Sequence, residues 1–203
     1  MNVHLLKAGT MARIADKNKV ERLKESTMKL VVEKGFGGAS AILITKDAKV
    51  ASGYFYLHYK SKYEMVNAIL QNVYSEVVDK LEELIQKSMP FSDMIEQLIR
   101  HFVGIANKEP IKVKFLYVLT NDYNFIIDRK IHDNTIKFIT QLKEYGHSSG
   151  MLDPKLNEND LYLILVTNTL QFINHYYKAA GENIKIPKKD EDHLLYMINK
   201  ILK

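Results

Sequence analysis

Apolar residues recur at helical spacing along nearly the whole chain. Val20, Leu23, Thr27, Leu30 and Val31 fall on one stripe and predict a helix over residues 17–34. A second stripe, Met65, Ile69, Val73, Val77, Leu81 and Leu84, runs from Met65 to Lys87 with no Gly or Pro inside it. It predicts one long, uninterrupted helix. Further helical patterns cover residues 91–106, 111–119, 125–145, 158–179 and 188–202. Breaks at 88–90, 107–110, 120–124, 146–157 and 180–187 separate them. No segment alternates for long like a half-buried strand, and no repeat or low-complexity tract is evident. The fold class is therefore all-α. Residues 1–16 read as a flexible arm, as chain termini commonly do.

Between the first two long stripes the grammar is shorter. Gly35 can end the preceding helix through a left-handed conformation, and Phe36 can anchor the following loop. Ser40 is placed to cap a short helix from Ala41 to about Ala48. Lys49, Val50 and Ala51 make a turn with Val50 pointing inward, and Ser52–Tyr59 form a second short helix. Ser61 and Glu64 have capping-box spacing at the head of the long helix. This is the length and order of a helix-turn-helix with its support, which presents its second helix to the major groove. Phe55 and Tyr59, four apart, should face inward, leaving Ser52, Tyr54 and His58 outside. Lys62 stands in the first turn of the long helix, where a cation opposes the helix dipole. A phosphate bound there would reverse that penalty, so Lys62 is a candidate phosphate contact. The unit boundary, 1–64 against 65–203, falls at the start of a helix and not in a linker.

The ordered, gap-free set Gly35-Phe36, Ala39-Ser40, Ile44, Ala48, Val50, Gly53, Phe55-Tyr56, His58-Tyr59, Ser61-Lys62 and Glu64 resembles the DNA-binding domain of the TetR family of bacterial transcriptional regulators. The chain departs from the family pattern at four places. Lys49 stands where Gly is usual in the turn, and Ala51 where a capping Ser is usual, so that Ser52 would cap one residue later. Tyr54 replaces a small Thr or Ser, and Leu43 replaces an acid. The resemblance implies base contact by Ser52 and Tyr54, close backbone approach at Gly53, and phosphate contact by Tyr56, His58 and Lys62. Ser40, Thr45 and Lys46 on the supporting helix are weaker phosphate candidates. It further implies a homodimer on a palindromic operator, repression, and release by a small hydrophobic effector. The effector would enter an aromatic body pocket formed by Phe102, Phe115, Tyr117, Tyr123 and Phe138. The last two helical patterns are apolar on broad faces, as expected of helices buried on two sides. By resemblance their Leu161, Leu165, Phe172, Leu194, Ile198 and Ile201 would form the dimer interface.

Charge sharpens this picture. Residues 1–64 hold ten Lys and two Arg against two Asp and four Glu, a net +6, while the whole chain of 203 residues is +5. The basic excess thus lies entirely on the segment with the helix-turn-helix, as a phosphate-binding module requires. There is no cysteine, so disulfide and thiolate chemistry is excluded. No apolar run reaches the length of a membrane span, and the N-terminus lacks the apolar core of a secretory signal. A cytoplasmic protein is expected. Neither a phosphate-binding glycine loop nor a His-Glu-x-x-His pair occurs, and the seven histidines are scattered. No enzyme activity, cofactor or metal site is expected. The alternative reading is a helical adaptor that binds protein partners without specific DNA binding; it leaves the basic segment unexplained.

Overall fold

The computed structural model describes residues 3–180 and 185–203. Ten α-helices follow one another, with no strand among the described residues: α1 Val3–Gly38, α2 Ala41–Asp47, α3 Ser52–His58, α4 Lys62–Gln86, α5 Phe91–Lys108, α6 Pro110–Thr120, α7 Arg129–Ser148, α8 Glu158–Tyr162, α9 Asn168–Ala180 and α10 Lys188–Leu202. A π turn, Leu163–Thr167, joins α8 to α9. The break expected at 180–187 falls partly on residues 181–184, outside the described residues.

Helix α1 begins at Val3. At the other end Gly35 leaves helical geometry with φ 71° and ψ 170°, and residues 36–38 add one turn beyond the kink. That backbone conformation is open almost solely to glycine.

The N-terminal unit packs α1, α2, α3 and the start of α4 around Leu23, Val31, Ile44, Phe55, Met65 and Val66, each fully or nearly fully buried. Thr27 sits among them, donating to the Leu23 carbonyl at 2.7 Å and to the Met65 sulfur at 3.3 Å. Helix α4 carries the stripe Met65, Ile69, Val73, Leu81 and Leu84 into both units without a break. The C-terminal body stacks α5, α6 and α9 behind α4, with α7 and α8 closing one side and α10 lying on α5 and the π turn. Helix α1 also packs along α6, so the small unit is seated on the body at two places, through α4 and through α6.

Helix α7 starts four residues later than its apolar pattern suggests. Phe125 and Ile127 look like the first turn of a helix, but Asp128 caps it, its carboxylate accepting from the Lys130 amide at 2.9 Å. Residues 121–128 are instead a strap between α6 and α7. Asn157 opens α8 with a reciprocal capping box closed by Asp160. No helix among the described residues is long and apolar enough to cross a membrane.

Candidate nucleic-acid interface

The short helices are set by their ends. The Ser40 hydroxyl caps α2 by accepting from the Leu43 amide at 3.2 Å. The turn to α3 runs through Lys49, whose φ of 53° lies in the left-handed region. Arg22 donates from Nε to the Ala48 carbonyl at 3.1 Å, and Lys29 pairs with Asp47 at 2.7 Å, so α1 clamps the end of α2. The hydrogen bond from Lys29, with a second from Ser26, holds the Asp47 carboxyl below its usual range.

Helix α3 begins with Ala51 as its N-cap and has no side-chain cap. The expectation that Ser52 caps one residue late is therefore corrected. Ser52 is the first helical residue, and its hydroxyl lies 3.4 Å from that of Thr45. Phe55 is fully buried, and Tyr59 is half-buried with its phenol pKa raised mainly by burial. The opposite side of α3 faces solvent: Ser52, Gly53, Tyr56, Leu57 and His58 are exposed, and a side chain at Gly53 would meet open space. Tyr54 is half-buried, not outward, with its ring 4.6 Å from that of His58 and 5.2 Å from the Lys19 ammonium.

Two of the phosphate candidates sit differently from expectation. Thr45 is buried, donating to the Ile42 carbonyl at 3.1 Å, because it occupies the seam between α2 and α3. It offers no surface to a phosphate. Lys62 turns inward. Its ammonium donates to the Phe36 carbonyl and lies 4.0 Å from the centre of the Phe36 ring. Burial lowers the Lys62 pKa, with Asp122 acting in the opposite direction. Ser40 and Lys46 are exposed. At the head of α4 the Ser61 hydroxyl accepts from the Glu64 amide at 3.1 Å, while the Glu64 carboxylate takes the amide of Lys60 at 2.7 Å.

Phe36 is the centre of a joint between the two units. Its amide donates to Asp122 at 2.9 Å, its carbonyl receives Lys62, and its ring meets that of Phe125 at 4.9 Å. Phe125 also meets Tyr63 at 5.9 Å. Hydrogen bonds from the Asn124 and Phe36 amides, then the nearby Lys62 charge, hold the Asp122 carboxyl below the usual range. Further along the strap, the Asp128 amide donates to buried Asn67 of α4 at 3.1 Å. The strap thus grips both α1 and α4.

Its far side faces a cavity. Ile127, Tyr74, His132, Thr135, Ile136 and Tyr162 line a volume of about 450 Å³ beside α7 and α8. An adjoining apolar cavity of about 40 Å³ is lined by Tyr74, Val77, Phe102, Leu116, Phe138 and Leu170 among others. Tyr74 borders both, and its phenol is held strongly protonated by burial, with Tyr162 beside it adding to the shift. Of the aromatic set expected to form one pocket, Phe102 and Phe138 line this apolar cavity. The other three do not. Phe115 is fully buried and lines neither cavity, Tyr117 lines a small cleft with Thr120 and Gln171, and Tyr123 is fully exposed on the strap. Their apolar character said nothing about which side of α6 or of the strap each would face. Tyr74, Thr135 and Tyr162 are the lining residues that spacing alone did not single out.

The expected dimer residues also divide. Leu161, Leu165, Leu194 and Ile198 are buried within the single chain, because they are the inward stripe of α8, the π turn and α10. Phe172 is half-buried and Ile201 is 47% exposed. Besides Ile201, the large apolar residues exposed on the π turn and α10 are Leu163, Tyr196 and Met197.

Residues 24–69 match the family model described as bacterial regulatory proteins, tetR family. An uncharacterised HTH-type transcriptional regulator of Haemophilus influenzae is 26% identical over 98 residues, which is 48% of this chain and 52% of that protein. The HTH-type transcriptional regulator YvdT of Bacillus subtilis, also uncharacterised, is 30% identical over 81 residues, 40% of this chain and 42% of that one. The chain spans about half the length of these curated relatives. Among solved structures, a TetR family transcription regulator from Marinobacter aquaeolei superposes with a TM-score of 0.75 at 16% identity, over 93% of this chain and 97% of that one.

Proposed function

We propose that this chain, whose residues 24–69 match the tetR family model, is a TetR-type transcriptional repressor that binds a palindromic operator as a homodimer and is released by a small apolar effector. One observation carries the reading: α3 buries Phe55 and turns Ser52, Gly53, Tyr56, Leu57 and His58 to solvent, on the unit that holds the whole basic excess. A helix so displayed enters the major groove while cations around it neutralise phosphates. Ser52 takes a base edge and Gly53 lets the backbone come close to the groove, with Tyr54 at its side. Ser40, Lys46, Tyr56 and His58 serve the backbone.

Dimerisation uses the outward residues Leu163, Tyr196, Met197 and Ile201, together with half-buried Phe172. They leave an apolar surface on α10 and the π turn that a second copy would cover by two-fold symmetry. The effector enters beside Tyr74, where the 450 Å³ cavity offers apolar walls with His132, Thr135 and the Tyr162 phenol as polar fixers. Occupation pushes on Ile127 and so on the strap. The strap holds Phe36 of α1 through Asp122, and α4 through Asn67. Release follows only if the effector binds the displaced arrangement more tightly than the resting one.

Selection of genomic fragments by the purified chain tests this reading. The expected product is a set of palindromes whose half-site centres lie about 34–36 Å apart, one turn of duplex. An unenriched fragment pool would favour the adaptor reading instead.

A further inference from the structure

At about 100° per residue, the line directly opposite buried Phe55 on α3 passes between Gly53 and Leu57. Tyr54 and Tyr56 lie to the two sides of it, and Ser52 and His58, both exposed, stand at the two ends of the helix. The apex of the helix is therefore one residue without a side chain and one leucine. Leu57 is 74% exposed, among the most exposed large apolar residues of the described chain. The turn before α3 carries exposed Lys49, α2 ends near exposed Lys46, and exposed Lys60 follows α3. An apolar partner surface suits this setting poorly, since it would bury those ammonium groups along with the leucine. A duplex suits it well, with phosphates for the lysines and a groove floor for the apex.

The apex offers no side-chain hydrogen-bond donor or acceptor. In the major groove each base pair presents donors and acceptors, and only thymine adds an apolar group, its 5-methyl. Resting on the regulator reading above, we propose that Leu57 is a specificity-determining residue that reads a thymine methyl in each operator half-site. Gly53, beside it, lets the helix come close enough for that contact, because a side chain there would stand between backbone and groove. Leu57 is a reader of sequence, whereas the surrounding lysines are indifferent to it.

The test uses the full-length chain and a duplex it selects from a randomised pool. Each thymine is replaced in turn by deoxyuridine, which removes only the methyl group, and affinity is measured by fluorescence anisotropy. At one thymine position per half-site the wild type should bind about three- to fivefold more weakly, the effect of uncovering one methyl-sized apolar contact. Leu57→Ala should bind the parent duplex more weakly by a similar factor and show no further loss at that position. Its thermal melt should match the wild type, since Leu57 makes little of the core. Insensitivity of the wild type to deoxyuridine at every position would overturn the proposal. An equal methyl effect in wild type and Leu57→Ala would overturn it as well, by assigning the methyl to another side chain. A selection that enriches no duplex is a different outcome: it removes the regulator reading before any methyl is tested.

Discussion

Two residues of the small unit have positive φ, and only one of them is a glycine by need. Gly35 combines φ 71° with ψ 170°, a backbone conformation that a side chain would strain. Gly35→Ala should lower the unfolding free energy by about 1–3 kcal/mol in a denaturant titration. Lys49 takes φ 53° with an exposed side chain, where the left-handed cost is borne by a residue that could shed it. Lys49→Gly should therefore stabilise by about 0.5 kcal/mol, the relief of left-handed strain exceeding the added freedom of the unfolded chain. The sequence shows both positions, because each matches or departs from a glycine of the family pattern. Lys62 shows the limit of that reading. Spacing put it at a helix N-terminus, where a phosphate contact is natural, but the nearer acceptor is the Phe36 carbonyl of its own chain. Lys62→Met should lower the melting temperature while leaving the slope of log affinity against log salt unchanged. A slope flatter by about one unit would return Lys62 to the phosphate contacts.

At the level of elements, the joint is made by the strap of residues 121–128 and the unbroken α4. Asp122 is its main polar tie to α1, accepting the Phe36 amide and supported by its own Asx turn to Asn124. Asp122→Ala should speed hydrogen exchange at the Phe36 amide by about tenfold, the worth of one such bond. Exchange at Met65 and Val66, buried near the start of α4, should stay as in the wild type. Equal protection of Phe36 in both proteins would mean that Asp122 does not hold it. Long helices such as α4 and α10 were legible because an uninterrupted apolar stripe has one reading. The start of α7 was not, because the Asp128 carboxylate captures the Lys130 amide and caps the helix inside the segment that periodicity assigns to it. The π turn between α8 and α9 leaves no mark in the apolar pattern at all.

On the scale of the whole molecule, the sequence showed which faces are apolar but not which neighbour covers them. Leu194 and Ile198 serve the body of their own chain, while Tyr196, Met197 and Ile201, on the adjacent side of α10, remain outside it. The broad apolar face was read as a dimer surface; of its residues on α10, Leu194 and Ile198 lie in the body of their own chain and Ile201 lies outside it. Ile201→Asp should therefore leave the single chain folded, with helical circular dichroism unchanged. Sedimentation at micromolar concentration should show the wild type as a dimer and the variant as a monomer. A variant that stays dimeric would place the interface elsewhere.

The reader, the joint and the dimer face converge on one claim, that this chain recognises a specific duplex through α3. The most direct measurement is the affinity of the purified chain for its selected duplex against a scrambled duplex of equal length, titrated over salt. The account predicts at least a thousandfold preference for the selected duplex, on the order of specific over non-specific binding in DNA-binding proteins, and a steep fall of both affinities with salt. Equal, weak binding to the two duplexes across the salt range would contradict it.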